Sequence, residues 1–242
     1  MKKEQAKQSK TIKSFAKKKH ETFLFYKDFV EKYGIECLEL CISKGNSKIG
    51  KVMNVSLLPI DTCGGCISGR CECWKICYDI RSCVQYDNVI KARVRNTIIA
   101  MNDRDRFFDD IDKAMSRRKK NKMLRWHVGG EIPDFDYFCR MVDIAKKHPD
   151  FYCWTYTKCY WIVNQYCDQF GRDAIPENFT IMFSEWRGYD MDNPYNFPEF
   201  RVVFKDDPLP HPVGFYCPGN CDVCKALHKG CIAAMTTYAN EH

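Results

Sequence analysis

Met123-Leu124-Arg125-Trp126-His127-Val128-Gly129-Gly130-Glu131 is a short apolar run with polar residues at alternate places, closed by two glycines. Such a segment reads as a β-strand over Met123–Val128 that ends where the glycines begin. Asp136–Lys147 follows with Phe138, Met141, Val142 and Ala145 at helical spacing, and Pro149 stops it. Phe151–Thr157 is again a strand, Tyr160–Phe170 a helix and Phe179–Ser184 a strand. Working outward, Lys51–Leu58 is a strand closed by Pro59, and Asp87–Met101 and Asp105–Arg118 are amphipathic helices. Arg201–Phe204 is a further strand, and His20–Tyr33 a helix ended by Gly34. Strands alternating with helices argue for βαβ units and a parallel sheet. Four or five units are too few for a complete barrel, so the fold class is α/β, as a partial (β/α) barrel or an open parallel sheet.

Composition narrows the rest. Of 242 residues, 45% are hydrophobic and 29% charged, which is ordinary for one globular core. No apolar run is long enough to span a membrane, and no apolar segment follows the charged start as in a secretory signal, so a cytoplasmic chain is expected. The formal charge is +7, and residues 1–20, with eight Lys and one Glu, carry all of it. The other residues balance at 30 against 30, which excludes a generally basic, nucleic-acid-binding globule. The expectation is a flexible, disordered basic tail over 1–20, solvated or in weak contact with nucleic acid, and a single α/β domain over 21–242.

In parallel α/β folds the loops leaving the C-terminal ends of the strands carry the chemistry. Here those exits hold Cys63 and its neighbours, Gly129-Gly130-Glu131, Thr157-Lys158 and Ser184-Glu185-Trp186-Arg187. Arg125 and His127 alternate with Leu124, Trp126 and Val128, so both are expected to face the polar mouth. The 16 cysteines fall short of a disulfide scaffold and point to metal ligation in a reducing compartment. One cluster holds Cys63, Cys66, Cys71, Cys73, Cys77 and Cys83; a second holds Cys217, Cys221, Cys224 and Cys231 in a Cys-rich C-terminal loop. Zinc and iron–sulfur clusters are both open at either place, and four compact thiols at the second would close a coordination sphere.

The order of Ser56-Leu57-Leu58-Pro59, Thr62-Cys63, Cys73-x-x-x-Cys77-Tyr78, Arg125-x-His127-x-x-Gly130 and Tyr156-Thr157-Lys158, with a Cys cluster behind, resembles the phage-associated gene product 88 family, whose activity is not established. That pattern in turn resembles the radical S-adenosylmethionine (SAM) superfamily. The resemblance implies an open 4Fe–4S cluster on Cys63, Cys73 and Cys77, and SAM held by Gly129, Gly130 and Glu131. It leaves Cys66, Cys71 and Cys83 as spare or alternative ligands. The common radical-SAM spacing, C-x₃-C-x₂-C, is not met in the first cluster but occurs at Cys217, Cys221 and Cys224.

Three functions follow as expectations. The first is an iron–sulfur enzyme that cleaves SAM reductively, with Arg125, His127, Lys158 and Ser184 binding an unknown substrate or the SAM carboxylate. A flavodoxin or ferredoxin would be its electron donor. The alternative is a non-catalytic zinc-binding module whose basic tail touches nucleic acid. A thiol redox protein using Cys63 and Cys66 ranks third.

Overall fold

The computed structural model describes residues 2–45, 50–69, 71–203, 215–216 and 237–240. Its sheet strands are β1 Met53–Val55, β2 Met123–Trp126, β3 Tyr152–Thr157, β4 Phe179–Glu185, β5 Glu199–Val203, β6 Phe215–Tyr216 and β7 Thr237–Asn240. They lie in the order β1-β2-β3-β4-β5-β7-β6, with every pair parallel. β1 and β6 do not pair with each other, so this is an open sheet, one of the two forms expected. β1 is shorter than the strand expected over Lys51–Leu58. The reason is local: beyond Val55 the regular ladder gives way to single bonds, Leu57 N–H to the Gly129 carbonyl at 2.9 Å and Leu58 N–H to Thr97 Oγ1 at 2.8 Å.

The helices are α1 Lys2–Tyr33, α2 Gly64–Ile67, α3 Tyr78–Gln85, α4 Asp87–Asn102, α5 Arg104–Ser116, α6 Phe135–Lys147 and α7 Tyr160–Phe170. Right-handed crossovers between neighbouring parallel strands put the connecting helices on one face. The burial pattern agrees. Met53, Val55, Leu124, Trp126, Cys153, Phe179, Ile181 and Phe183 share one hydrophobic core with the buried faces of α4 to α7. On the opposite face a smaller cluster forms from Val52, Met123 and Trp154, flanked by Tyr152 and Tyr156.

The disordered tail expected over residues 1–20 is corrected over its described part: residues 2–20 are the first part of α1. Phe15 is only 2% exposed and belongs to the main core, with Ile12 packed beside it. Lys18 donates to the Val84 carbonyl at 2.6 Å and to Asp87 at 2.7 Å, and Lys19 to Asp61 at 2.8 Å. A domain boundary at residue 20 would therefore cut through a packed helix.

Candidate thiol site at the strand exits

Three exits meet at one end of the sheet. Leu57 N–H donates to the Gly129 carbonyl at 2.9 Å, and Val128 N–H to Ser56 Oγ at 3.1 Å, which zips the exit of β1 to that of β2. Thr62 Oγ1 donates to the Leu58 carbonyl and accepts from Glu131 N–H, so the threonine before Cys63 fixes the loop against the Gly-Gly-Glu turn. Both glycines are required there. A Cβ on Gly129 would overlap the Asp79 carboxylate, and Gly130 has φ +76° with Thr62 and Leu57 against it. Asp79 is 2% exposed and held by Arg93 through two hydrogen bonds of 2.9 and 3.1 Å. This pair escaped the sequence reading, although its place two residues after Cys77 was a signal.

Glu131 joins the exit of β3. Its Oε2 accepts from Lys158 N–H at 2.6 Å and from the Thr157 hydroxyl at 3.2 Å. Among the described residues Oε1 accepts nothing. Burial raises the carboxyl to about 7, against the pull of the nearby Lys158 charge. Burial would lower the Lys158 ammonium, but Cys73, Glu131, Cys71 and Cys63 around it hold its pKa above the ordinary value. Its Nζ also lies 5.5 Å from the Trp186 ring centre, and its carbonyl accepts from the Tyr189 hydroxyl at 3.0 Å.

The thiols gather beside that lysine. Cys66 Sγ and Cys73 Sγ are 3.6 Å apart. Hydrogen bonds from Cys66 and Cys71 push the Cys73 thiol down to about 3, with Lys158 acting the same way. Contacts with Cys63 and Cys73 push Cys66 up, and a contact with Cys73 pushes Cys71 up. The group that meets is thus Cys63, Cys66, Cys71 and Cys73. Cys77, the third member of the triad that the resemblance implies, stands at the start of α3 and burial raises it to about 12. Cys83, Cys153 and Cys167 lie in the main hydrophobic core as small apolar side chains, whereas the buried Cys159 Sγ donates to the Ile132 carbonyl at 3.4 Å with Glu131 and Cys63 nearby. Among the described residues no three His, Cys, Asp or Glu side chains form a ready-made metal cage. In kind, the donor set fits a thiophilic group: sulfur only, with a cation alongside.

The other expected residues separate. Arg125 is in register with Asn54 and Trp154 and has its guanidinium 5.3 Å from the Tyr156 ring centre, on the face away from the helices. His127 does not share that face, which corrects the alternation expected of the strand. Its φ is +53°, and its Nε2 lies 3.1 Å from the Tyr137 hydroxyl of α6, inside the helical layer. Burial, with Arg93 nearby, lowers His127 to about 3, so the imidazole is neutral. Ser184 is 5% exposed in β4, and its carbonyl accepts from the Tyr160 hydroxyl. Cys217, Cys221, Cys224 and Cys231 lie outside the described residues. None of the described helices is long and apolar enough to cross a membrane.

No curated protein and no solved structure matches this chain. A family model described as Gene product 88 matches residues 39–230, from the segment before β1 to beyond the last thiol but one of the C-terminal cluster. That span takes in every strand exit described above and most of the chain: it belongs to the gene product 88 family.

Proposed function

We propose that this protein is an iron–sulfur protein resembling radical SAM enzymes, carrying a 4Fe–4S cluster on thiolates of the Cys63–Cys77 loop and SAM beside Gly129, Gly130 and Glu131. One observation carries the reading. Thiols from the loop after β1 meet Glu131 from the exit of β2 and Lys158 from the exit of β3 at one end of a parallel sheet. When bound, such a cluster supplies the electron that splits the SAM sulfonium; which substrate follows is set by other side chains. The residues of the chain do the rest. Lys158 places a fixed positive charge against the thiolates and offsets their mutual repulsion. Glu131 is clamped through Oε2, which leaves Oε1 as the acceptor for a ligand ammonium. Gly129 and Gly130 let the turn close onto Asp79, Thr62 and Leu57, which fixes where Glu131 stands.

A second reading, a structural zinc site, is favoured by a specific feature: pairwise contacts run through four thiols, from Cys63 to Cys66 to Cys73 to Cys71, rather than three. Four thiolates close a tetrahedral sphere and leave no open position. The two readings part on protein purified without oxygen and assayed for iron, zinc and acid-labile sulfide. The iron–sulfur reading expects brown protein with about four irons and four sulfides per cluster. It also expects SAM binding that weakens in Glu131→Ala while the iron stays. Zinc without sulfide, persisting after anaerobic reconstitution, overturns it in favour of the structural site. Wild-type SAM binding in Glu131→Ala ends the cofactor assignment.

A further inference from the structure

The excess positive charge lies on a helix with a definite orientation, and that orientation selects a partner. Phe15 and Tyr26 are buried, and Ile12, Phe23, Phe29 and Val30 pack with them against the core, so the apolar side of α1 is already used. Lys18 and Lys19 are also spent, on Val84, Asp87 and Asp61. Lys10, Lys13 and Lys17 are exposed, at spacings of three and four that place them on one side of the helix. They span roughly 10 Å along the axis. Lys17 has Glu21 at 3.8 Å, an exposed pair that competes weakly. Lys2, Lys3 and Lys7 belong to the same helix.

We infer that this face of α1 binds the phosphate backbone of double-stranded DNA without reading its sequence. A membrane surface fits poorly, because an interfacial helix must offer a continuous apolar side to lipid; here that side is buried in the protein, and the exposed Leu24 and Phe25 lie about two turns past the lysine row. Single strands fit poorly as well. Between Ser9 and His20 the one aromatic residue is Phe15, which is buried, and the exposed rings of α1, Phe25 and Tyr33, lie two turns or more past Lys17, so none stands within the lysine row to stack on unpaired bases. A rigid row of lysines on an otherwise neutral molecule is what backbone contact requires. This inference does not depend on the metal at the strand exits.

The test uses the full chain and a labelled duplex of arbitrary sequence, with binding followed by fluorescence anisotropy between about 50 and 200 mM salt. Wild type is expected to bind with affinity falling steeply as salt rises. Lys10→Ala/Lys13→Ala/Lys17→Ala should flatten the log–log slope by about 2.7, near 0.9 for each phosphate no longer neutralised. The three side chains are exposed, so thermal unfolding of this variant should match wild type. The corresponding triple Lys→Arg variant should keep the binding. Equal affinity and slope in the alanine variant would overturn the inference. So would tighter binding to the single strand, or binding to phosphatidylserine vesicles with none to the duplex.

Discussion

His127 sits at the end of β2 with a left-handed φ of +53°, a conformation that costs a non-glycine residue of order 1 kcal/mol or more. The turn is what sends its ring into the helical layer beside Tyr137, while Arg125 stays on the other face. Alternation along a strand predicts the side of a residue only while the backbone remains extended, and nothing in Trp126-His127-Val128 announces the change. A titration consequence follows. In the folded chain His127 is lowered to about 3 by burial and by Arg93, whereas unfolded it titrates near its ordinary 6.5. Below that value the unfolded state binds the extra proton, so the contribution is fully present above pH 6.5 and lost as pH falls toward 3. Glu131, raised to about 7 from 4.5, works the other way: its folded form holds the proton longer, so its contribution is fully present below pH 4.5 and lost as pH rises through 7. Subtracting a His127→Asn variant, whose Asn tolerates positive φ, isolates the histidine. Between pH 7 and pH 5 urea unfolding should show wild type losing roughly 2 kcal/mol more than the variant. Parallel pH profiles would mean that His127 is protonated in the fold.

Helix α1 shows why composition can hide an element. Residues 1–20 carry eight lysines, and a charge run of that kind ordinarily reads as solvated chain. Yet Ile12 and Phe15 continue toward the N-terminus the apolar side formed by Phe23, Tyr26, Phe29 and Val30. Ile12 and Phe15 alone, among so many charges, make a faint period, whereas from His20 to Tyr33 the period is plain. Packing against α3 and α4 supplies what propensity and repulsion withhold. Phe15→Ala should therefore cost about 3 kcal/mol, in the range for a buried Phe truncated in a core, measured by urea unfolding. Lys10→Ala, on the exposed side, should stay within about 0.5 kcal/mol of wild type. If Phe15→Ala unfolded like wild type, the N-terminal half of α1 would not be part of the domain, and the solvated tail would be restored.

At the scale of the whole molecule, the alternation of strands and helices was legible because each element between Asp87 and Ser184 buries one clear face. Parallel pairing and the meeting of the strand exits followed from it. The identity of the thiol group did not, since spacing says which cysteines share a loop but not how the loop coils. A turn of α2 brings Cys66 to Cys73, while Cys77 stands at the start of α3, near Cys63 and Asp79 but without a contact to Cys66 or Cys73 among those described. The loop is joined to β2 through Thr62 and Glu131, and to β3 through Glu131 and Lys158, so a metal group bound there is coupled to the sheet rather than to a local knob. Metal removal should then lower the stability of the whole domain. A ligand present at about a hundredfold over its dissociation constant adds about 2.7 kcal/mol to the folded state. For a domain of this size that is a shift of roughly 5–10 °C in Tm. Anaerobic protein with and without chelator, followed by circular dichroism in the helical region, should show one cooperative transition that moves as a unit. Cys73→Ser should melt like the stripped protein and no longer respond to chelator. Cys139→Ser, a partly exposed thiol on α6 far along the chain from the loop, should keep the full response. A Tm indifferent to chelator in protein with confirmed metal would show that the group sits on a loop uncoupled from the sheet, and the strand exits would then lose their claim to be one site.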